Sequence, residues 1–184
     1  KSVINLHKIE VKILNCKNLK NKDLFNEDKI ILGKLSDNVC TMFTSGTSGP
    51  SKGVMMPNAH CVLFAIGTIE NYNLRDDHTF YISLPLFHAN GLFMQLLACI
   101  MTGAKAVIRT RFSASNWLKD IRNDNITHTN MLGAIAAFIV AQPPTKYDKD
   151  HNLIVIGSAP LPSEPEKIFR NRFGVKYVLP LYGM

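Results

Sequence analysis

Cysteine is scarce in this chain and is not arranged for metal or disulfide chemistry. The 184 residues include four cysteines and one tryptophan, and no two cysteines have Cys-x-x-Cys spacing. Widely separated cysteines with mostly apolar neighbours favour buried, reduced thiols over a zinc site or a disulfide framework. A reducing cytoplasm is the simplest setting for such thiols. The four positions are Cys16, Cys40, Cys61 and Cys99.

Long hydrophobic runs are also missing. The two longest apolar stretches, residues 91–104 and 131–141, are interrupted by Gln95 or are too short to span a bilayer. We therefore predict no membrane span, and no signal peptide can be read from the first residues. With 46% hydrophobic and 19% charged residues, the composition is that of a globular chain with a sizeable core.

Acidic residues are outnumbered by basic ones. The chain has 21 Lys and Arg against 14 Asp and Glu, a formal net charge of +7. Many of the lysines lie in the first 34 residues, where they are not interleaved with aromatic residues and match no groove-entering motif. Such a stretch is typical of a solvated face, so we expect no nucleic-acid partner.

The most informative feature present is the loop at residues 44–53, Thr-Ser-Gly-Thr-Ser-Gly-Pro-Ser-Lys-Gly. Glycine lets backbone N–H groups approach a phosphate, hydroxyls can donate to its oxygens, and lysine supplies a compact positive charge. The loop therefore predicts a phosphate-binding site. Its candidate contact residues are Thr44, Ser45, Gly46, Thr47, Ser48, Gly49 and Lys52.

Two alternatives fit this loop less well. A Ser/Gly-rich surface loop is compatible with the composition, but apolar residues on both flanks fix the loop inside a fold. The P-loop of nucleoside triphosphatases would place Ser51 where glycine belongs and Gly53 where a hydroxyl belongs. The apolar run at residues 54–56, ended by Pro57, favours a strand, loop, strand arrangement instead.

The loop resembles the phosphate-loop signature of the AMP-forming, adenylate-forming superfamily, which includes acyl-CoA synthetases, peptide-synthetase adenylation domains and luciferases. That signature reads Thr-Ser-Gly-Thr-Thr-Gly-x-Pro-Lys-Gly, and Ser48 and Ser51 depart from it without removing a glycine or the lysine. Three later stretches resemble further family motifs in the family's order. They are Pro-Leu-Phe-His-Ala-Asn-Gly at residues 85–91, Gly-Ser-Ala-Pro-Leu at 157–161 and Leu-Tyr-Gly-Met at 181–184.

The resemblance covers residues 37–184 and leaves residues 1–36 as an N-terminal segment without a recognisable motif. The surroundings of Ala-Gln-Pro-Pro at 141–144 most resemble the crotonobetaine/carnitine-CoA ligase branch. By this comparison the chain is expected to be a partial AMP-binding domain. Family members continue with Thr-Glu, whose glutamate helps hold magnesium, and with a small domain carrying a lysine. The isolated chain is accordingly expected to turn over poorly.

The resemblance implies a two-step reaction. A substrate carboxylate attacks the α-phosphorus of ATP and releases pyrophosphate, and the thiol of coenzyme A then displaces AMP from the acyl-adenylate. The implied ligands are ATP, Mg²⁺, coenzyme A and a small-molecule carboxylic acid. Because carboxylates are already ionised at neutral pH, positioning and charge neutralisation should dominate the first step. Two alternatives stay open: an adenylation domain that loads a carrier protein, and a non-catalytic nucleotide-binding fragment.

The resemblance also assigns roles to individual residues. Lys52 and the loop hydroxyls would hold the β- and γ-phosphates, and His88 would border the acyl and adenylate pocket. No metal ligand is identified in the chain. The expected adenine contacts are Gly157, Ser158, Ala159, Pro160, Tyr182, Gly183 and Met184.

Each of these motifs has a purely structural interpretation as well. His88 could make a local cap hydrogen bond, residues 158–160 could form an ordinary turn, and Tyr182 could simply pack. Acyl specificity is expected from Met94, Leu97 and residues 130–134, although helical apolar stripes are mostly core. The sequence shows no aromatic cage for a quaternary ammonium group.

Alternating strand-length and helix-length segments predict an α/β fold, with a layered, mainly parallel sheet and helices on both faces. By the resemblance, this is part of the large N-terminal domain of an adenylate-forming enzyme. Strands are predicted at 39–44, 79–85, 106–108, 127–131, 153–156 and 175–179. Helices are predicted at 58–72 with Asn58 as cap, 91–102, 115–123, 133–140, and from a Ser163–Glu166 capping box to Gly174. Because ligands bind beyond the carboxyl ends of such strands, we expect Thr44, Pro85, Gly157 and Leu181 to line one cleft.

Overall fold

The computed structural model describes residues 33–44 and 49–182. The elements below all belong to the unit formed by residues 34–184. Its strands in the described residues are β1 Asn38–Phe43, β2 Gly53–Pro57, β3 Thr79–Ile82, β4 Lys105–Ile108, β5 His128–Leu132, β6 Val155–Ala159 and β7 Tyr177–Pro180. Its helices are α1 Asn58–Tyr72, α2 Ala98–Thr102, α3 Ala114–Asn123, α4 Gly133–Val140 and α5 Ser163–Asn171, and a π-helix at Asn90–Leu97 leads directly into α2.

Five strands form the central sheet, in the order β4-β3-β5-β6-β7. Every neighbouring pair is parallel, with Phe80 beside His128 and Asn130 beside Gly157. Parallel neighbours require crossover connections, and the helices between the strands provide them. The predicted layered, parallel α/β sheet is confirmed.

Helices cover both faces of this sheet, because successive side chains of a strand point to opposite sides. On the face that we call the first face, Phe80, Ile82 and Val155 pack with α1 and α2. On the opposite, second face, residues of β3, β5, β6 and β7 pack with α3, α4 and α5. The large side chains buried on the second face include Tyr81, Trp117, Met131, Ile139, Ile156 and Phe169. Full burial of each such side chain stabilises the fold by about 1.5–3 kcal/mol.

Strands β1 and β2 form a separate antiparallel pair, with Cys40 opposite Met56 and Phe43 opposite Gly53. Met56 packs this hairpin against Cys61 of α1 and Phe93 of the π-helix. The predicted strand, loop, strand arrangement is therefore correct. The expectation that Thr44 follows a strand of the parallel sheet is wrong, because β1 pairs with the strand that comes directly after the loop.

Both predicted helix caps are wrong. Pro57 and Pro162 occupy the N-cap positions in extended conformation, so Asn58 and Ser163 are already helical and make no cap hydrogen bond. Asn58 Nδ2 donates instead to the carbonyl of Lys34 at 2.9 Å. Glu166 accepts hydrogen bonds from Arg170, four residues along α5.

Strand β6 lies further along the chain than predicted. It pairs with β5 from Val155 to Ala159, so Gly157, Ser158 and Ala159 lie within the strand rather than after it. The apolar run that predicted the strand stops at Ile156, whereas the backbone ladder continues because β5 itself runs to Leu132. Because glycine has no side chain, the sequence gives no apolar pattern at Gly157 from which the continued pairing could be predicted.

The cysteines in the described residues are unpaired. Cys61 and Cys99 are buried and Cys40 is half-buried, while Cys16 lies outside the described residues. Burial raises the pKa of the Cys99 thiol to about 12, so this thiol is protonated at neutral pH. Cys99 therefore behaves as a packing residue.

Candidate functional site

A cavity of about 690 Å³ lies above the first face, beside the carboxyl ends of β5, β6 and β7. Its volume falls within the range of small-molecule binding sites. The wall from α1 consists of Leu63, Phe64, Gly67, Thr68, Asn71 and Tyr72. The remaining lining residues are Ala89, Asn90, Met94, Leu132, Ala159, Pro160, Leu181 and Tyr182.

The sheet topology accounts for this position. From β3 the chain crosses the first face through the π-helix and α2 to reach β4, whereas from β5 it crosses the second face through α4 to reach β6. The strand order therefore reverses between β3 and β5. Ligands of open α/β sheets bind at such a point, beyond the carboxyl ends of the strands. Ala89, which follows β3, and Leu132, which ends β5, both line the cavity.

The segment at residues 85–91 approaches the cavity through its last residues. Ala89 and Asn90 line the cavity, whereas Phe87 and His88 are exposed side chains with ring centroids 4.5 Å apart. His88 N–H donates to the Pro85 carbonyl at 3.2 Å, which closes a turn. A Cβ at Gly91 would lie 2.5 Å from the same carbonyl oxygen, so this turn requires glycine. His88 adjoins the cavity lining without belonging to it.

Some residues of the segment 157–161 line the cavity, whereas others are buried in the packed interior. Ala159 and Pro160 line the cavity. Ser158 is fully buried, and its hydroxyl donates to the Pro160 carbonyl at 2.7 Å. A Cβ at Gly157 would lie 1.6 Å from the hydroxyl oxygen of Tyr72, so glycine allows Tyr72 to pack against β6. Gly157 and Ser158 shape the wall, and their contact with a ligand stays a prediction.

Tyr182 is almost fully exposed, with 91% of its surface accessible. Its side chain lines the cavity together with Leu181, whose N–H donates to the Ser158 carbonyl at 2.8 Å. An exposed ring beside a cavity can stack on a planar ligand. Gly183 and Met184 lie outside the described residues, so their predicted role stays a prediction.

The phosphate-loop candidate is closed at its base by the ends of the hairpin. Thr44 N–H donates to the Lys52 carbonyl at 3.0 Å, and Lys52 N–H donates to Thr44 Oγ1 at 3.3 Å. Thr44, Gly49 and Lys52 are exposed, and none of them lines the cavity. The candidates Ser45, Gly46, Thr47 and Ser48 lie outside the described residues.

Two residues connect the hairpin to the cavity. Phe64 and Ala89 pack in the cluster that contains Met42 of β1, and both also line the cavity. The hairpin that carries the loop therefore shares a wall with the cavity. The structure brings segments 85–91, 157–161 and 181–182 to the cavity directly, and it brings the base of loop 44–53 to the adjoining hairpin.

Only some of the residues predicted to form the acyl wall lie at the cavity, and their contact with an acyl group stays a prediction. Met94 and Leu132 line the cavity, whereas Leu97 packs into the hydrophobic core instead. The reason is the π-helix, whose wider turn rotates Leu97 away from the direction of Met94. Gly133 approaches Pro160 closely, because a Cβ there would lie 2.8 Å from the Pro160 carbonyl oxygen.

The cavity wall is uncharged. Its lining contains no Asp, Glu, Lys, Arg or His within the described residues. Burial raises the pKa of the Tyr72 hydroxyl, so Tyr72 is neutral across the physiological range. Such a wall suits an apolar group, since a charge placed there would lose its hydration without gaining a partner.

Metal-binding groups are not gathered in the described ranges 33–44 and 49–182. No set of three or more His, Cys, Asp and Glu residues is placed there to hold an ion. These residues therefore do not fit a protein-built magnesium cage. Within the same ranges, no helix combines the length and the apolar character needed to cross a membrane.

Fold and cavity together define an α/β domain with a cavity of small-molecule size at the switch point of its sheet. The AMP-binding enzyme family matches residues 6–184, and the chain belongs to this family. The resemblance drawn from the loop and the three later motifs is thereby confirmed.

Curated relatives extend this finding at low identity. The chain is 30% identical to mouse long-chain fatty acid transport protein 3 over 182 residues, which cover 95% of this chain and 27% of the relative. It is 31% identical to the medium/long-chain-fatty-acid–CoA ligase FadD17 of Mycobacterium marinum over 134 residues, covering 72% of this chain and 26% of the ligase. The chain thus spans about a quarter of the length of these relatives.

Solved structures show the same fold. O-succinylbenzoate coenzyme A synthetase (MenE) from Bacillus subtilis, in complex with AMP, matches with a TM-score of 0.69 and 25% identity over 82% of this chain and 31% of that chain. The inhibitor-bound N-terminal domain of FACL13 from Mycobacterium tuberculosis matches with a TM-score of 0.72 and 22% identity, covering 86% and 39% of the two chains.

Sequence reasoning missed the contribution of α1 and of the Gln95 amide, whereas Asn130 falls within the predicted segment 130–134. Thr68, Asn71 and Tyr72 line the cavity although α1 carries no family motif. Gln95 and Asn130 are fully buried near the cavity. The available signal was a polar residue inside an apolar run, which Gln95 provides within residues 91–104.

Proposed function

We propose that the protein activates a carboxylic acid with ATP and transfers the acyl group to coenzyme A. The observation that carries this proposal is the uncharged cavity at the switch point of the sheet, next to the hairpin that presents Lys52. Membership of the AMP-binding enzyme family supports it. The names of the fatty-acid–CoA ligase and of the AMP-bound synthetase among the similar proteins agree with it.

In the first step, a carboxylate oxygen of the acid bonds to the α-phosphorus of ATP, and the bond to the bridging oxygen breaks to release pyrophosphate. In the second step, the thiol sulfur of coenzyme A bonds to the acyl carbon, AMP leaves, and the thiol proton passes to solvent. The chain's contribution is to position the reactants and to neutralise charge. We assign phosphate neutralisation to Lys52 and to the loop hydroxyls of Thr44, Ser45, Thr47 and Ser48.

The acyl chain would lie in the cavity against Met94 and Leu132, which are apolar and half-buried or exposed. The adenine would lie beside Pro160 and Tyr182, and the remaining expected contacts at 157–159, 183 and 184 belong to the same proposal. His88 would orient the carboxylate from the rim. Magnesium would arrive with the ATP phosphates, and no step here depends on a metal ligand from the described residues.

For the substrate we propose a medium- or long-chain fatty acid, because the cavity of about 690 Å³ has a lining that is mostly apolar and carries no charge. An acid of the carnitine type would bring a permanent cation to a lining without an acidic side chain. We therefore include carnitine and crotonobetaine only as members of the panel of acids to be tested. A reducing cytoplasmic setting is part of the proposal and is supported by the unpaired thiols of Cys61 and Cys99.

The test is carboxylate-dependent ATP–pyrophosphate exchange by the full-length protein, with fatty acids of several lengths, carnitine and crotonobetaine as substrates. We expect exchange with fatty acids, and we expect Lys52→Ala to lower kcat/KM by about 10²–10³-fold, the size seen when a charge-stabilising donor is removed. The control is Lys149→Ala, which removes another exposed lysine.

Two outcomes would contradict the proposal: no exchange with any acid, or equal exchange by Lys52→Ala and wild type. Absence of exchange together with ATP binding would favour a non-catalytic nucleotide-binding role. Supplying coenzyme A or a phosphopantetheinylated carrier protein as acceptor then separates an acyl-CoA synthetase from a carrier-loading domain. We expect thioester formation with coenzyme A.

A further inference from the structure

Three amide side chains meet beside the cavity, and we call them the amide cluster: Asn90, Gln95 and Asn130. Asn90 and Gln95 lie on the π-helix, and Asn130 lies on β5. Gln95 Nε2 donates to Asn90 Oδ1 at 2.9 Å, and Asn130 Nδ2 donates to the same oxygen at 3.0 Å. Two elements on either side of the switch point are thus joined through one oxygen atom.

These bonds fix the orientation of the Asn90 amide. Its oxygen uses both of its lone pairs, so its two N–H donors point away from Gln95 and Asn130. Asn90 lines the cavity and is only half-buried, whereas its two partners are fully buried. In the described part of the chain, Asn90 Nδ2 has no hydrogen-bond partner of its own. The free donors are therefore available at the cavity wall.

Two amide oxygens of the amide cluster lack a hydrogen-bond partner within the described ranges. Gln95 Oε1 and Asn130 Oδ1 are buried and have no partner among the described residues. Leaving buried acceptors unpaired is unfavourable, so packing alone would favour apolar residues at these two positions. Both amides nevertheless direct their N–H groups at Asn90. This arrangement suits residues that hold Asn90 in one orientation.

The position of Asn90 on the π-helix determines which part of the acid its donors meet. Asn90 and Met94 both lie on the π-helix, and both line the cavity. Under the proposed function, Met94 contacts the acyl chain. The Asn90 donors therefore belong to the part of the cavity that would hold the chain of the acid.

We propose that Asn90 is a specificity-determining residue that donates a hydrogen bond to an oxygen on the chain of the acid. The substrate class is accordingly a medium- or long-chain carboxylic acid that carries a carbonyl or hydroxyl oxygen within its chain. Gln95 and Asn130 are positioning residues that act through Asn90. This inference rests on the proposed function and narrows its substrate.

A site built to hydrogen-bond a substrate oxygen discriminates strongly against the analogue without it, because its donor is left unpaired. The test compares decanoate with a series of oxodecanoates that carry the carbonyl at successive chain positions. The full-length protein is assayed by ATP–pyrophosphate exchange, and binding of the same acids is measured by calorimetry. We expect one or two oxo positions to be preferred over decanoate by about tenfold or more in kcat/KM and in Kd.

Two substitutions test the donor. Asn90→Leu removes it, and Asn90→Asp keeps an oxygen that accepts both bonds from Gln95 and Asn130 while replacing the donor by a carboxylate oxygen. We expect the preference for an oxodecanoate over decanoate to disappear in both variants. We also expect Asn90→Asp to keep the fold. Gln95→Met should lower the preference by a smaller factor, because it removes one of the two bonds that orient Asn90.

Asn71→Leu is the matched control, since Asn71 also lines the cavity but lies outside the amide cluster and donates to the Gly67 carbonyl of its own helix at 2.6 Å. It should change kcat/KM for both acids by the same factor. Exchange with decanoate but no preferred oxo position, or an unchanged preference in Asn90→Asp, would overturn this inference and leave the proposed function intact. Neither exchange nor binding with any acid would overturn both.

Discussion

The two faces of the central sheet are built from the same strands but have very different chemistry. The second face is covered by an aromatic and aliphatic core, in which Trp117, Phe169 and Phe173 pack edge to face or tilted. The first face carries the cavity and several buried polar groups, including Asn130 and His128. This difference teaches that the second side of the sheet is mainly an apolar core, whereas the first side combines a core with a cavity and with buried amides that lack partners among the residues that the structure describes.

The largest expected effect lies on the second face. Phe169 is fully buried, and Phe169→Ala should lower the free energy of unfolding by about 3–5 kcal/mol, because it leaves a cavity in a close-packed core. Chemical denaturation of the full-length protein measures this loss. Phe138→Ala on α4 is the matched control, since Phe138 is 61% exposed, and it should change stability by less than about 0.5 kcal/mol.

Phe169→Ala also tests whether the two faces of the sheet act independently. Below its unfolding transition, this variant should keep the wild-type preference among acids, because the residue lies on the face away from the cavity. A changed acid preference in the folded variant would show that the two faces are coupled and would weaken the division drawn here.

The next effect is a pH dependence that belongs to the first face. Burial lowers the pKa of His128 to about 4, and burial also lowers the pKa of His78, whose ring centroid lies 4.4 Å from that of His128. His128 Nε2 lies 3.1 Å from the Tyr72 carbonyl, which can only accept, so the neutral ring carries its proton there. Protonation of Nδ1 would place a charge in this buried pair.

Because burial lowers its pKa, His128 is harder to protonate in the folded protein than in the unfolded chain. An unfolded histidine takes up its proton near pH 6.5, whereas folded His128 takes it up only near pH 4, so the stability is present above about pH 6.5 and is lost as the pH falls toward 4. The loss should reach about 2–3 kcal/mol. Urea titrations at pH 7.5, 6, 5 and 4 measure it. His128→Gln should flatten this dependence, and an equally steep dependence in that variant would contradict the assignment.

How much the sequence could predict differs between these regions. Strand and helix alternation predicts the parallel sheet with both faces covered, because burial on two sides leaves continuous apolar strands. It does not predict that β1 pairs antiparallel with β2, since an apolar strand reads the same in either sheet. The helix starts at Asn58 and Ser163 were misassigned as caps because the preceding proline already fixes the extended N-cap conformation.

The candidate site shows the same limit more strongly. The family motifs predict the contributions of Ala159, Pro160 and Tyr182, because these residues follow or end strands at the carboxyl edge. They do not predict Asn90 or Asn130 as partners, since that contact spans 40 residues of sequence. Nor do they predict that Gly157 leaves room for the Tyr72 hydroxyl, because Tyr72 lies on a different element, α1.

A smaller effect should follow from Gly157→Ala. The added methyl would collide with the Tyr72 hydroxyl, so Tyr72 must move, and overpacking of this kind costs about 1–3 kcal/mol. Because Tyr72 lines the cavity, the variant should also lower the affinity for acids in calorimetry. Gly67→Ala is the control, since a Cβ at Gly67 meets nothing within 4 Å. Equal stability and affinity in the two variants would show that Tyr72 does not depend on Gly157.

The most direct test of the central claim is to narrow the cavity and measure which acids are still activated. Gly67 lines the cavity from α1, and the space around its Cβ position is open, so Gly67→Phe can fill the cavity without displacing a neighbour at its base. ATP–pyrophosphate exchange is measured across a series of fatty acids of increasing length, with Gly67→Ala as the control for helix propensity. If the cavity holds the acyl chain, Gly67→Phe will lose exchange with the longest acids while keeping the shortest, and Gly67→Ala will follow the wild type. An unchanged length profile in Gly67→Phe would contradict the account.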